Sequence, residues 1–437
     1  MNFPDAEAYL LSLGNEVEAM KLGLENIRKL LAALGNPETT YLKVQVAGTN
    51  GKGSVCAFLD SICREAGIEV GVFTSPHLVS ITERVRINGV DISDEEFARI
   101  ATVVRKTAEK LVSQGNLETV PTYFEQVTAI ALVAFAEAKV KLAILETGLG
   151  GRYDATTAAN AEIAAITRID LDHQEYLGDT IEEIAAEKAA IIRGDSTVVI
   201  APQDKIAERV LRGHCRAVGI EPIWATSDID LKVIDVDGYL IVNYSLTTEK
   251  MTYSKIEPHM AGRHQVGNAA VAVGIAEILQ ERGFKISEND IWMGLSTASH
   301  PGRLECEGRY LFDGAHNIGG ATALREYLDE FVSQPITIIF GAMKDKDIAE
   351  MAKVLFPKAE NLILTRPDNS RSLSADEIAA ATEDLISRDR YFLTENIADA
   401  IAKADEVAGD DSIILITGSL YLVGEAKKIL NNVRQTA

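Results

Sequence analysis

The stretch LKVQVAGTNGKGSVCAFLDSICREAG (residues 42–67) reads as a buried strand ending at Ala47, a glycine-rich turn, and an amphipathic helix opening at Ser54. At such a strand-to-helix turn, backbone N–H groups and the positive end of the helix dipole hold phosphate, and Lys52 neutralises its oxygens. The strict pattern G-x-x-x-x-G-K-[ST] is not met, because its first glycine would fall at Val46 and its hydroxyl residue at Gly53. Gly48, Thr49, Asn50, Gly51, Lys52, Gly53 and Ser54 therefore form a variant phosphate loop. Either Ser54 supplies the usual Mg²⁺-binding oxygen from a shifted register, or other residues carry the metal. A ligand-free glycine turn would not explain Lys52 and Ser54 together.

Working outward, the chain has 437 residues, 47% of them hydrophobic and 25% charged, which is comfortable for two globular domains. A formal charge of -22 removes the driving force for general binding to nucleic acid or to an anionic membrane. An anionic small ligand then needs a local positive site. Cys56, Cys63, Cys215 and Cys306 show neither C-x-x-C pairing nor zinc spacing, which points to a reducing compartment. The acidic start MNFPDAEAYLLSLG is unlike a signal peptide, and no run approaches the ~18 apolar residues of a membrane span, so a cytoplasmic location is expected.

Short apolar runs at 42–47, 69–74, 141–146, 161–167 and 196–202 alternate with helical patterns, predicting an α/β unit with a mostly parallel sheet. Alternating segments near 222–258, with a hairpin signal at Asp237-Gly238, predict a small antiparallel section. SHPGRLE (299–305) reads as a hinge, followed by RYLFDGAHN, ITIIFGAM, NLILTRP, RYFLTE and SIILITGS, the strands of a second, smaller Rossmann-like α/β domain. The expected domains are 1–297, which carries the phosphate loop, and 298–437.

Several residues fall at strand ends, where ligands of open α/β sheets collect. Glu146 ends KLAILE as a metal-directed carboxylate, with a solvated strand-end glutamate as the alternative. Asp170, Asp172 and His173 follow the next strand, and TSPHL (74–78) offers Ser75 and His77. Mg²⁺ prefers oxygen, which favours Ser75 and Glu146 over His77. Phe124 offers a flat apolar face and Asp154 an acceptor for ring N–H groups, against the plainer roles of helix core and turn residue.

GTNGKGS, TSPHL, PTYFE, LETGLGGRYDATT, DHQEYLG, EKAAII, GRHQVGNAAVA, PGRLE, DGAHN and GSLY occur in an order and spacing that resemble folylpolyglutamate synthase and dihydrofolate synthase of the Mur ligase superfamily. The resemblance runs from about residue 20 to 425. It implies an enzyme of folate biosynthesis and one-carbon metabolism that uses ATP to phosphorylate a substrate carboxylate, which the amine of L-glutamate then attacks. The implied acceptors are dihydropteroate, reduced folates, or both. The resemblance also implies Ser75, Glu146 and His173 around two Mg²⁺ sites, and a Lys188 carbamylated by CO₂. It places Asn268 and Arg303 at the ATP phosphates and Asp313 at the nucleotide. His316 and Ser419 fall to glutamate or the acyl phosphate, and a monomer is expected. His300 stands where the family commonly has tryptophan.

Two other functions remain open at this stage. A peptidoglycan-type Mur ligase would carry a further domain before the loop, for which the 47 residues ahead of Gly48 are too few. A nucleotide switch or regulatory ATPase would share the loop without needing DGAHN and GSLY.

Overall fold

The computed structural model describes residues 1–14, 23–225, 228–236, 239–248, 250–383, 385 and 390–436. The first sheet contains Leu42–Ala47 (β1), Val70–Phe73 (β2), Val85–Ile87 (β3), Val90–Asp91 (β4), Leu142–Glu146 (β5), Ile163–Ile166 (β6), Thr197–Ile200 (β7) and Ile223–Trp224 (β8). Their spatial order is β4-β3-β2-β5-β1-β6-β7-β8, parallel from β2 to β8. The strand that feeds the phosphate loop is thus central, with β5 and β6 as its neighbours.

Successive side chains point to opposite faces, so one strand serves two cores. Val44 and Val46, with Leu142 and Ile144, pack under helices Lys52–Glu65, His264–Glu281 and Glu288–Thr297. Ala143 and Leu145 face helices Asp94–Ser113 and Tyr123–Glu137 on the other side. The antiparallel edge β3–β4 turns at Asn88-Gly89, where φ is +51° and +80°, a left-handed pair suited to a tight hairpin. This edge was not read from the sequence.

The expected antiparallel section is a three-stranded sheet of Asp228–Val236 (β9), Tyr239–Thr247 (β10) and Thr252–Ile256 (β11), ordered β11-β10-β9. The signal at Asp237-Gly238 lies outside the described residues. The last sheet takes Glu305–Glu307 (β12), Tyr310–Asp313 (β13), Ile336–Phe340 (β14), Asn361–Leu364 (β15), Tyr391–Leu393 (β16) and Ile413–Thr417 (β17) in the order β12-β13-β17-β14-β15-β16. It is parallel apart from β12, and it has its own apolar cores on both faces. The fold is the expected pairing of two α/β sheets. Among the described residues no helix is long and apolar enough to cross a membrane.

Candidate active site

A cleft of about 840 Å³ is lined by the phosphate loop, the carboxyl ends of β5 and β6, and the loops after β13, β14 and β17. The loop owes its shape to missing side chains. Gly51 caps helix Lys52–Glu65 at φ +92° and supplies no capping side chain, so the first N–H groups of the helix stay open for an anion. A Cβ at Gly51 would stand 2.3 Å from Asn268 Oδ1, and one at Gly53 would stand 2.3 Å from His300 Nε2. The loop is anchored from β6: Thr49 N–H donates to the Arg168 carbonyl at 2.9 Å, and Thr49 Oγ1 donates to the Asp170 carbonyl at 2.9 Å.

Two lysines converge on it. Lys52 Nζ donates to the Gly48 and Thr49 carbonyls at 3.2 and 3.1 Å. Lys188, on helix Ile181–Ala189, is 5% exposed and donates to the same Gly48 carbonyl at 2.8 Å. Burial, reinforced by the charge of Lys52, lowers the Lys188 pKa to about 7. Its amine is therefore partly neutral near neutral pH. Arg303, Lys346 and Arg371 also line the cleft, among acidic side chains such as Glu146 and Asp172, so cations stand beside the loop in a strongly acidic protein.

Ser75, Glu146 and His173 line the same cleft, and the Ser75 N–H donates to Glu146 Oε2 at 3.1 Å. The Nδ1 atom of His173 is buried without a hydrogen-bond partner, and burial holds the ring near a pKa of about 4. An imidazole nitrogen without a hydrogen-bond partner, a carboxylate and a serine on one cleft wall are the donor types a divalent cation takes. His77 is turned away into a separate cavity of about 80 Å³ behind the loop, where its Nδ1 accepts from Arg84 Nε at 2.8 Å. Thus TSPHL contributes Ser75 to the cleft and not its histidine.

From the second sheet, Arg303, Asp313, His316 and Ser419 all reach the cleft. Asp313 oxygens accept from the N–H groups of Leu304 and Ala315, tying the segment before β12 to the loop after β13. His316 Nδ1 pairs with the Gly314 carbonyl at 2.8 Å, a contact that makes Nδ1 the donor and leaves Nε2 with the lone pair. Burial and the Lys346 charge keep that ring neutral, with a pKa of about 3. Ser419 Oγ accepts from the Tyr421 N–H at 3.2 Å.

Phe124, in the first turn of helix Tyr123–Glu137, packs on Phe73 at 5.8 Å between ring centres and lines the cleft, as do Leu24 and Ile27. Asp154 lines the cleft from within a tight turn. Its Oδ2 accepts from the N–H groups of Gly148 and Leu149, and its Oδ1 from the N–H and Oγ1 of Thr156. Its two oxygens thus meet four donors of its own turn, which shapes this part of the cleft wall.

Residues not selected from the sequence complete the site. Lys346, after β14, donates to Asp172 Oδ1 at 2.7 Å, and both side chains are under a tenth exposed. Burial raises the Asp172 pKa, but His173, Lys346 and His316 together outweigh it and hold the carboxyl well below its usual range. Asn317 and Arg371 also border this region. The run MKDKD at the carboxyl end of a predicted strand was the signal available for Lys346.

Residues 46–276 match the Mur ligase middle domain, and residues 302–420 match the glutamate ligase domain of Mur ligases. The dihydrofolate synthase/folylpolyglutamate synthase of Bacillus subtilis is 37% identical over 94% of this chain and 95% of its own. The chain belongs to the folylpolyglutamate synthase and dihydrofolate synthase family of Mur ligases. Mycobacterium tuberculosis folylpolyglutamate synthase complexed with ADP superposes with a TM-score of 0.88 at 29% identity, covering 98% of both chains. Escherichia coli FolC in complex with DHPP and ADP gives 0.84 at 27% identity, again with 98% of both chains covered. This family member is an ATP-dependent ligase, and the glutamate ligase domain sets aside the nucleotide-switch alternative.

Proposed function

We propose that this ligase joins L-glutamate to the carboxyl group of dihydropteroate and of reduced folates, using ATP and an acyl-phosphate intermediate, with ADP and phosphate as the other products. The observation that carries this proposal is the single cleft in which an open helix N-terminus with two lysines faces both an apolar wall at Phe124 and the His316–Ser419 edge of the second sheet. Residues 1–297 then provide ATP and acceptor binding, and residues 298–437 present glutamate.

The chemistry follows from charge. A carboxylate attacking the γ-phosphate is an anion approaching an anion, so Lys52, Arg303 and the loop N–H groups neutralise the phosphate oxygens as negative charge spreads. Ser75, Glu146 and His173 would hold Mg²⁺, which supplies further charge neutralisation when bound. Asn268, whose Oδ1 lies over Gly51, keeps the loop in place. The amine of glutamate attacks the acyl carbon, the C–N bond forms, phosphate leaves, and the amine proton is lost. Lys188, partly neutral, is suited to carbamylation: its nitrogen bonds CO₂, releases a proton, and becomes an anionic oxygen ligand. The buried free thiols of Cys56, Cys63 and Cys215 accord with a cytoplasmic enzyme, which we take to act as a monomer.

Phosphate release from MgATP with L-glutamate, offering dihydropteroate and tetrahydrofolate separately and weighing the products, tests this function. Release requiring glutamate and either acceptor, with one glutamate added, is the expected result. Turnover with tetrahydrofolate alone would restrict the enzyme to folylpolyglutamate synthesis, and release indifferent to both would overturn the ligase.

A further inference from the structure

Asn50, inside the phosphate loop, and Asn317, at the start of helix Ile318–Phe331 beyond the hinge, form a reciprocal amide pair. Asn50 Nδ2 donates to Asn317 Oδ1 at 3.2 Å, and Asn317 Nδ2 donates to Asn50 Oδ1 at 3.1 Å. Asn317 is 5% exposed, and its remaining capacity is also taken. Its second N–H goes to Asp172 Oδ2 at 2.8 Å, and its Oδ1 also caps the helix by accepting from the Gly320 N–H at 2.8 Å. Two donors and two acceptors are thus matched to partners on three segments, which no other side chain of this size can do. The fit is close: a Cβ on Gly319 would meet Asp170 Oδ2 at 2.7 Å and Asn50 Nδ2 at 2.8 Å.

We infer that Asn317 is a positioning residue that makes the glutamate-side edge of the cleft sense whether the phosphate loop is occupied. This inference rests on the ligase function proposed above. Asn50 belongs to the loop whose N–H groups receive phosphate, and a nucleotide that fixes the loop fixes the Asn50 amide. The partner of that amide caps the helix immediately following His316. Rigidity therefore passes from loop to helix through two hydrogen bonds. The same amide holds Asp172, whose other oxygen is bound by Lys346 of the loop after β14, so a second segment of the distal sheet is tied to the same point. Two sites coupled by one packed polar element share a coupling free energy, and the effect is reciprocal.

Asn317→Ser keeps a helix cap but removes both donors and the acceptor used by Asn50. The test compares amide hydrogen exchange over residues 314–322 in full-length protein with and without MgADP, alongside MgADP affinity by calorimetry. The wild type is expected to slow exchange there on binding MgADP, whereas Asn317→Ser binds MgADP with similar affinity and loses the slowing. At saturating MgATP its KM for glutamate should rise by about tenfold, within the usual range of coupling between sites. A purely structural defect would raise exchange equally with and without nucleotide. Persistence of the slowing in Asn317→Ser, or its absence in wild type that binds MgADP, overturns the coupling while leaving the ligase intact. Wild type unable to bind MgADP would overturn both. If Asn317→Ser does not fold, Asn317→Thr retains the cap, likewise lacks the amide, and serves the same comparison, and the wild-type measurement decides the matter unaided.

Discussion

At Lys188, the loss of solvent weakens the hold on a proton, and the pKa of about 7 sets a pH window for its chemistry. CO₂ bonds only the neutral amine, so carbamylation is favoured as pH rises through that value and disfavoured as it falls. Enzyme prepared free of CO₂ well below pH 7 is expected to be poorly active and to recover when bicarbonate is added above it. Lys188→Arg, a fixed cation, should show neither change, and carbon-13 spectra of enzyme supplied with labelled bicarbonate would report the adduct. Gly53 gives a second residue-scale prediction. A methyl group there must displace His300, so Gly53→Ala should cost about 1–3 kcal/mol of stability by overpacking. Adding His300→Ala should restore most of the lost melting temperature. The same contact explains why the hydroxyl residue of a standard phosphate loop is absent from this position.

At the scale of elements, helix Tyr123–Glu137 holds the cleft's apolar wall in place through its first turn. Thr122 and Glu125 form a capping box there, with the Glu125 N–H donating to Thr122 Oγ1 and the Thr122 N–H to Glu125 Oε2. Thr122→Ala should cost about 1 kcal/mol of stability. It should raise the KM for the pterin substrate, through Phe124, more than the KM for ATP, which steady-state kinetics would show. Elements such as β1, β5 and the helix after the loop were legible because pattern and position agree: an apolar run, then glycines, then helical periodicity. The β3–β4 edge was missed, since its strands are too short to show alternation. The hydrogen bonds that hold Asp154 were hidden for a related reason. A carboxylate is visible in a sequence, but the four donors of its own turn that bind it are visible only in three dimensions. Lys346 escaped selection because its meaning lies in a contact across 174 residues of chain, and Asn317, legible in DGAHN as a loop residue or helix cap, gave no sign of its partner 267 residues away.

For the whole molecule, polar groups from loops of the first and last sheets meet directly. Lys346 and Asp172 are one such pair, and removing only the cation would strand a buried carboxylate. Lys346→Ala is expected to destabilise the protein by about 3–5 kcal/mol, and Lys346→Met combined with Asp172→Asn by much less. Thermal unfolding of the single and double variants checks this. Asn50 stands directly before Gly51, a dipeptide in which the absence of a Cβ leaves the following backbone nitrogen least hindered from attacking the side-chain carbonyl. Such attack converts asparagine to aspartate with age. Here Asp170 and Asn317 hold the side chain through hydrogen bonds, so chemical ageing of the phosphate loop is expected to be slower with Asn317 in place. Stored Asn317→Ser should accumulate an acidic, charge-shifted species at Asn50 sooner than wild type, resolved by ion exchange and peptide mapping. Once formed, an aspartate at 50 would add a carboxylate beside Asp170, at the place where the loop must welcome phosphate.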